Sequence, residues 1–559
     1  MNTSTNEDLV FLPLGGSNEI GMNLNLYGFG PPRARKWIIV DLGITFGDQT
    51  TPGVEIITPD PAYLETIRKD ILAIVLTHAH EDHIGGLGWL WPRIKAPVYA
   101  TPFTAFLVRE KLREKGLLDK VSITEVPLSG KVQIGPFGID FISLTHSIPE
   151  PNGMAITTPL GTILHTGDWK LDADPVLGAP TDIAKLQRIG DAGVLAMVCD
   201  STNVFQEGVA GSEADVRVAL TALIRSLKGK VAVGCFASNV ARMDSVIRAA
   251  EASGRRVCLL GRSMHRMTAA AHSVGMLENV QPFVPDTEAK HFPNDHILFL
   301  CTGSQGEERA ALSRIASGTH PHLKLGAGDS VVFSSRVIPG NDIPIRNLQN
   351  GLSDRGVRIY TDRDHPGIHV SGHPCRDELS QMYRWARPQI AVPTHGERRH
   401  LIEHLAFARE HGVPDAIAPR NGEVIRLAPG RPMIIEEVPS GRLFLDGNVL
   451  TPENSEPLRE RRHAAANGVL MVAVTLDKKN KLAADAEVRA IGLPADIGDS
   501  MADLLDDLAE DAEDAVEDLS VDDRGDDVAV RKAVGRALKR ASQRIWSRRP
   551  VVETLVTRL

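Results

Sequence analysis

His78-Ala79-His80-Glu81-Asp82-His83, entered directly from the apolar run Ile71-Leu72-Ala73-Ile74-Val75-Leu76, decides how this chain is read. The run has the length and composition of a buried β-strand, and it ends on three imidazoles and a carboxylate. In extended chain His78 and His80 project to the same side, because side chains alternate with period 2. Asp82 and His83 can then turn back toward the same point, with Gly85 and Gly86 allowing tight local backbone. Imidazole and carboxylate together suit Zn²⁺. The chain holds 19 histidines in 559 residues, so three within one six-residue window is not the product of scatter.

A chain of this length exceeds one hydrophobic core, which predicts two to four domains. Hydrophobic residues at 42% and charged residues at 24% place it with ordinary globular proteins. No apolar run approaches the roughly 20 residues needed to span a bilayer, so no membrane partner is expected. Met1-Asn2-Thr3-Ser4-Thr5 lacks a basic region followed by a hydrophobic stretch, which argues against export. Cys199, Cys235, Cys258, Cys301 and Cys375 are scattered and form no C-x-x-C pair, the pattern of reduced core thiols in the cytoplasm. The net charge of −9 is unevenly spread: residues 499–527 hold 14 acidic side chains and one Arg, which leaves +4 on the rest. A mildly basic body is compatible with a polyanionic substrate in a local groove.

Residues 1–209 read as many short strands joined by Gly/Pro turns: Leu24–Tyr27, Trp37–Asp41, Ile71–Leu76, Val98–Ala100, Ile139–Leu144, Thr162–His165 and Val194–Cys199. From 210 to 358 the rhythm becomes helix–strand alternation, a parallel α/β pattern. Ser212 and Asp215 resemble a helix start, with Val216, Leu220, Leu223, Ile224 and Leu227 as its apolar stripe. Strands at Lys230–Phe236, Val257–Leu260 and Ile297–Cys301 follow. Residues 359–450 return to strand–loop–helix, 451–465 look like a polar linker, and 466–559 form a small α+β module. In that module Val469–Thr475, Val488–Ile491 and Val551–Val556 read as strands. Met501, Leu504, Leu505, Leu508, Ala512 and Leu519 mark the core face of one helix; Val530, Val534, Leu538, Ala541 and Ile545 mark that of another. The second helix also brings eight Lys/Arg between Arg531 and Arg549, a solvated face or a docking surface.

Further candidate ligands stand at strand ends. His146 follows Phe141–Thr145, Asp168 follows Ile163–Gly167, and His395 follows Ile390–Thr394. Two divalent ions need a bridging carboxylate, and Asp168 suits that role. His78, His80 and His146 would hold one ion; Asp82, His83 and His395 would hold the other. This ordered set, with Asp41 before it, resembles the metallo-β-lactamase fold. The resemblance implies an αββα sandwich and, for Asp41, support of the metal site from behind.

The segment 210–358 is similar to the β-CASP insertion of nucleic-acid-processing members of that fold. The matching stretches are Ala237-Ser238-Asn239, Gly261-Arg262-Ser263-Met264, Thr302-Gly303-Ser304-Gln305-Gly306-Glu307 and Ile338-Pro339-Gly340-Asn341. Beyond it come His369-Val370-Ser371-Gly372-His373 and Pro393-Thr394-His395-Gly396-Glu397, and before it Leu14-Gly15-Gly16 and Glu19-Ile20-Gly21. Together with the C-terminal module, the set resembles the bacterial ribonuclease J family over essentially the whole chain. That resemblance implies an α/β architecture: a metallo-β-lactamase sandwich, an inserted β-CASP domain and a small C-terminal α+β domain. It implies a cytoplasmic ribonuclease with two Zn²⁺, replaceable by Mn²⁺ or Mg²⁺. Such an enzyme degrades single-stranded RNA 5′→3′ from a 5′-monophosphate end, often with endonuclease activity, in RNA maturation and decay. It also implies homodimers or homotetramers and partners in an RNA-degradation complex. Catalysis would fall to Asp82, Asp168 and His373, the last touching the scissile phosphate or protonating the leaving 3′-oxygen. Ala237, Ser238, Asn239 and the loop His369, Val370, Ser371, Gly372 and His373 would contact RNA.

Three rival readings stand beside this one. A DNA-directed β-CASP nuclease differs in its indifference to the 2′-hydroxyl. A small-ester or thioester hydrolase on the same core has no need of the long insertion. A non-catalytic RNA-binding scaffold sits poorly with an intact ligand set.

Overall fold

The computed structural model describes residues 7–48, 50–338, 340–494 and 500–559. Met1–Thr5, Pro339 and Asp499, used in the sequence reading, lie outside the described residues. The chain divides into two compact units, Met1–Thr45 with Thr58–Gly441, and Phe46–Ile57 with Arg442–Leu559.

Two sheets form the frame of the first unit. One runs in the order Met433–Glu437, Glu423–Ala428, Asp8–Gly15, Leu24–Gly30, Lys36–Val40, Ile71–Val75, Val98–Ala100, Ile123–Glu125. The other runs Lys131–Ile134, Phe137–Ser143, Asn152–Thr158, Gly161–His165, Ala196–Asp200, Ile390–Thr394, Asp415–Ala416. Alternation of side chains sorts each strand of the second sheet into two layers. Phe141, Ile163, Ala196, Val198, Ile390 and Val392 enter the core shared with Phe11, Tyr27, Ile38, Val40 and Val75 of the first sheet. Ile142, Leu164, Met197, Cys199 and Ala391 face the other way, onto helices Ile183–Ala192, Arg376–Ala386 and Arg398–Glu410. This is the helix–sheet–sheet–helix layering the resemblance implied.

Within the second sheet, Ala196–Asp200 and Ile390–Thr394 are parallel neighbours, with Val198 opposite Val392 and Asp200 opposite Thr394. Nearly two hundred residues separate them in sequence, and the insertion, 210–358, occupies most of that interval. Its five-stranded sheet is wholly parallel, in the order Arg256–Leu260, Ile297–Cys301, Val231–Gly234, Ser330–Phe333, Arg358–Thr361. The chain reverses direction of travel across Val231–Gly234, a topological switch point at whose strand carboxyl ends such sheets commonly bind ligands. Ala237-Ser238-Asn239 and Thr302–Glu307 leave from those ends.

The second unit contains a three-stranded sheet, Leu482–Ile491, Val469–Leu476, Val551–Arg558, packed against helices Met501–Glu517 and Asp527–Trp546. Leu504, Leu508, Ala512, Val530, Val534, Leu538 and Ala541 are buried there, and Met501, Leu505 and Leu519 are partly buried. Ile545 departs from the expected core stripe: it is 45% exposed, and the next residue, Trp546, packs at the helix end instead. Residues 451–465, read as a linker, hold the end of strand Val449–Pro452 and most of helix Glu456–Asn467. The strand-rich reading of 1–209 passed over helices Leu87–Ile94, Pro102–Glu114 and Ile183–Ala192. Pro102 at the first helical position was the available start signal for the longest of them.

Phe141 is fully buried between the two sheets. Phe141→Ala is expected to lower the stability of the first unit by about 3–5 kcal/mol, transfer and cavity terms combined. Denaturant unfolding followed by near-UV dichroism measures this; a loss below about 1 kcal/mol would show that the sheets do not pack through this side chain.

Candidate metal centre

The centre is built at the carboxyl ends of strands. The turn after Ile71–Val75 carries His78 and His80, and the short helix Glu81–Ile84 turns Asp82 and His83 back toward them. The loop after Phe137–Ser143 brings His146, the turn after Gly161–His165 brings Asp168, and the end of Ile390–Thr394 brings His395. Among the described residues three groups have donor atoms within 4.8 Å of one another: His78, His80, His146 and Asp168; Asp82, His83, Asp168 and His395; and Asp200, His373 and His395. Asp168 belongs to the first two. Its Oδ2 lies 3.9 Å from His78 Nε2, 3.8 Å from His146 Nε2, 3.3 Å from His83 Nε2 and 3.5 Å from His395 Nε2.

Each of the five imidazoles spends one nitrogen on an outer partner and turns the other to the centre. Thr77 Oγ1 donates to Asp41 Oδ2 at 2.8 Å and can therefore accept from His78 Nδ1 at 2.9 Å. His83 Nδ1 donates to Asp41 Oδ2 at 2.7 Å. His80 Nε2 meets Ser238 Oγ at 3.1 Å, His146 Nδ1 donates to the Gly372 carbonyl at 2.5 Å, and His395 Nδ1 donates to Asn23 Oδ1 at 3.0 Å. Such partners fix the tautomer and aim the remaining lone pair inward, as metal-ligating histidines require. Burial, with the neighbouring imidazoles, holds His78 and His146 well below the usual imidazole range, and burial takes His80 to about 4. These three are neutral at neutral pH, with lone pairs free to coordinate. Burial would lower His83 as well, but Asp168, Asp82 and Asp41 outweigh it and raise its pKa. Burial would raise the carboxyl of Asp168; His395 and His83 outweigh it and keep it ionised. A buried anionic carboxylate ringed by inward-aimed imidazole nitrogens is a donor set that fits a divalent cation.

His373 stands beside this centre. Its Nδ1 donates to Asp200 Oδ2 at 2.7 Å, and its ring centroid is 4.9 Å from that of His146 and 5.7 Å from that of His395. Burial alone would lower His373, but Asp200, by charge and hydrogen bond, with Asp168 and Asp82, raises it to about 9. The loop before it is held by Asn203, whose Nδ2 donates to Ser371 Oγ at 2.8 Å and to the His373 carbonyl at 3.0 Å. Gly372 is needed for close approach: a Cβ there would lie 2.8 Å from His146 Cε1. Val370 packs against Gly211 at the start of the insertion.

The candidate RNA-contacting residues separate. Ala237 and Ser238 are half-buried beyond the strand Val231–Gly234, and Ser238 reaches the candidate ligand His80. Asn239 is buried; its side chain caps helix Val240–Ala252 and donates to Glu213 Oε1 at 3.1 Å, so it is committed to structure and does not face RNA. His369 Nδ1 accepts from Arg242 Nη1 at 3.2 Å, and burial together with Arg242 lowers it to about 3. Arg242 is itself buried, forked onto Glu213 by two 2.9 Å bonds, and donates to Ser334. Asp172, four residues after Asp168, accepts from Glu213 N at 2.9 Å and pairs with Lys170 at 3.2 Å.

Sequence reasoning missed Asp200, Asn23, Thr77 and the Arg242–Glu213 pair. Asp200 was accessible, since it ends an apolar strand as the ligands do. Asn23 and Arg242 carry no spacing signal.

Comparison with known proteins agrees with this geometry. Residues 33–230 match the metallo-beta-lactamase superfamily, 228–352 the ribonuclease J beta-CASP domain, 365–419 the Zn-dependent metallo-hydrolase RNA specificity domain, and 457–559 the ribonuclease J C-terminal domain. A ribonuclease J of Sinorhizobium meliloti is 46% identical over 499 residues, 89% of this chain and 88% of that protein. Those of Synechocystis and Mycolicibacterium smegmatis are 37% and 39% identical over 88% and 86% of this chain, and over 76% and 86% of their own lengths. Among solved structures, a protein of unknown function from Enterococcus faecalis superposes with a TM-score of 0.52 at 16% identity, over 75% of this chain and all of that one, a likeness of fold alone.

Asp41→Asn replaces the acceptor that orients His83 and, through Thr77, His78. Metal affinity is expected to fall 10- to 100-fold without loss of the fold. Competition with a chromophoric chelator reads this directly; wild-type affinity would remove Asp41 from the centre.

Proposed function

The chain belongs to the ribonuclease J family of metal-dependent ribonucleases, and we propose that it removes nucleotides 5′→3′ from single-stranded RNA bearing a 5′-monophosphate, with endonucleolytic cleavage as a second mode. The observation that carries this reading is the meeting of three parts at one point: the paired donor groups around Asp168, the His373–Asp200 couple, and the insertion's strand ends, joined through His80 and Ser238.

In this reading His78, His80 and His146 hold one Zn²⁺, Asp82, His83 and His395 hold a second, and Asp168 serves both. Mn²⁺ or Mg²⁺ are alternatives. Bound there, divalent ions supply Lewis-acid charge against the phosphoryl oxygens and lower the pKa of water. The protein's own part is acid catalysis and positioning. With Nδ1 committed to Asp200, the imidazolium of His373 has Nε2–H free to donate. Water adds to phosphorus and gives up its proton to solvent; as the bond from phosphorus to the 3′-oxygen breaks, the His373 proton passes to the leaving oxygen. Asp200 holds the ring's orientation and stabilises its charge. Ser238, Ser371 and Gly372 border the same point and serve the substrate's phosphates. The wider reading assigns 1–209 and 359–450 to the catalytic core, 210–358 to the insertion and 466–559 to a C-terminal domain, in a cytoplasmic homodimer or homotetramer acting with other RNA-degrading proteins.

His80→Ala and Asp82→Ala are each expected to abolish cleavage while far-UV dichroism stays as in the wild type; digestion at the wild-type rate by either would refute the assignment. Direction is tested with 5′-labelled RNAs carrying a monophosphate, a triphosphate or a hydroxyl. Labelled mononucleotide should appear first, and from the monophosphate alone. Labelled fragments of intermediate length as the sole products would replace the exonuclease reading with an endonuclease.

A further inference from the structure

The C-terminal unit carries a one-signed surface that the mechanism does not use. Helix Asp527–Trp546 buries Val530, Val534, Leu538 and Ala541 in the core of its unit. On its outer side Lys532, Arg536, Arg540 and Arg544 follow one another at four-residue intervals, all exposed. Next to them, Arg531, Lys532, Arg536 and Lys539, with Gly535 between, line an open groove of about 410 Å³ whose apolar wall is Val528 and Val552. Among the described residues, Arg544 alone of these cations is in an ion pair, 3.8 Å from Asp511.

Two features of this helix work against its own stability. Like charges four residues apart on a helix repel. Glycine in a helix interior costs stability relative to alanine, and a Cβ at Gly535 would meet nothing within 4 Å, so no packing demands the glycine. Both features acquire a use if a polyanionic strand lies along the groove. Its phosphates would neutralise Lys532 and Arg536, the rungs of the ladder that line the groove, and the flanking Arg531 and Lys539; the two rungs stand about 6 Å apart at the helical rise, on the scale of successive phosphates in an extended strand. The missing Cβ would let the strand come down onto the helix between Lys532 and Lys539.

We infer that this groove is a second RNA site, holding the backbone of the single strand by charge and not by base identity. The inference rests on the ribonuclease reading above. The acidic residues of Met501–Glu517, on the neighbouring helix, would repel the strand and confine it to the basic side. A second copy's acidic helix is the rival occupant, but carboxylates on their own side chains reach these cations without needing the space at Gly535.

The full chain in EDTA, where RNA is not cut, is titrated with a long unstructured RNA over a range of salt. Neutralising Arg531, Lys532, Arg536 and Lys539 together to Gln is expected to weaken binding at least tenfold at low salt. The slope of log affinity against log salt should fall by about 2–3, since each phosphate contact on a single strand contributes about 0.7. Gly535→Ala should weaken RNA binding while the melting temperature holds or rises. Turnover of a pentanucleotide by the metal-loaded variants should match the wild type, because the catalytic centre is untouched. Unchanged affinity and slope would overturn the proposal. So would loss of self-association in sedimentation with RNA affinity per protomer intact, which would give the groove to a second copy. Failure of the wild type to cut the pentanucleotide would count against the ribonuclease reading itself, in a separate arm.

Discussion

The carboxylate of Asp168 is the constraint from which the site follows. It is buried, ionised and faced by nitrogens of His78, His83, His146 and His395 within 4 Å. An ion in such a place is costly unless compensated. Protonating several imidazoles at once would compensate it, but burial and mutual repulsion oppose that at His78, His80 and His146. Bound metal would resolve the conflict, because a cation matches neutral imidazole and anionic carboxylate together. The outer partners Asp41, Thr77, Asn23, Ser238 and the Gly372 carbonyl then make physical sense as a shell that keeps the ring nitrogens aimed inward.

Much of this was legible in the sequence because each ligand follows an apolar run. A strand buried on both faces reads as continuous hydrophobic sequence, and the residue after it is necessarily at a sheet edge where sites form. That logic pointed to His78, His146, Asp168 and His395, whose donor atoms the structure brings together, and it applies equally to Asp200, which ends the strand Ala196–Asp200. What stayed hidden was long-range pairing. Asn23 sits in a loop nearly four hundred residues from His395, and nothing in its neighbours announces the contact. Arg242 and Glu213 lie on amphipathic helices, where a charge reads as solvated face; only the fold shows both to be buried. Asn239 was misread in the opposite direction, although an Asn immediately before an apolar-periodic segment is a helix-cap signal in its own right.

The insertion is more than a cover for the site, because its charges are wired into the segments that carry the ligands. Asp172 follows Asp168 by four residues and accepts the backbone of Glu213; Glu213 grips Arg242; Arg242 holds Ser334 and His369. His369 opens the loop whose Gly372 carbonyl orients His146 and whose His373 meets Asp200. Glu378 closes the circuit by accepting from the backbone of Leu171, Ala210 and Cys375. The links are charge-assisted or backbone hydrogen bonds in a buried or part-buried setting, where removing one partner strands the other.

This arrangement explains why the long excursion between Asp200 and Ile390 can be tolerated inside a catalytic sheet. The two flanking strands pair in parallel, so the sheet closes whether or not the insertion is well placed. Sheet pairing alone would leave the loop 369–373 free to shift, and with it the orientation of His146 and the reach of His373. The buried Arg242–Glu213 fork adds to the hold of Asn203 and Asp200 by tying the loop to the insertion's first two helices, Glu213–Ser226 and Val240–Ala252. His373, His146 and the first two helices of the insertion are thereby held by one network, and displacement of the insertion would move all three together.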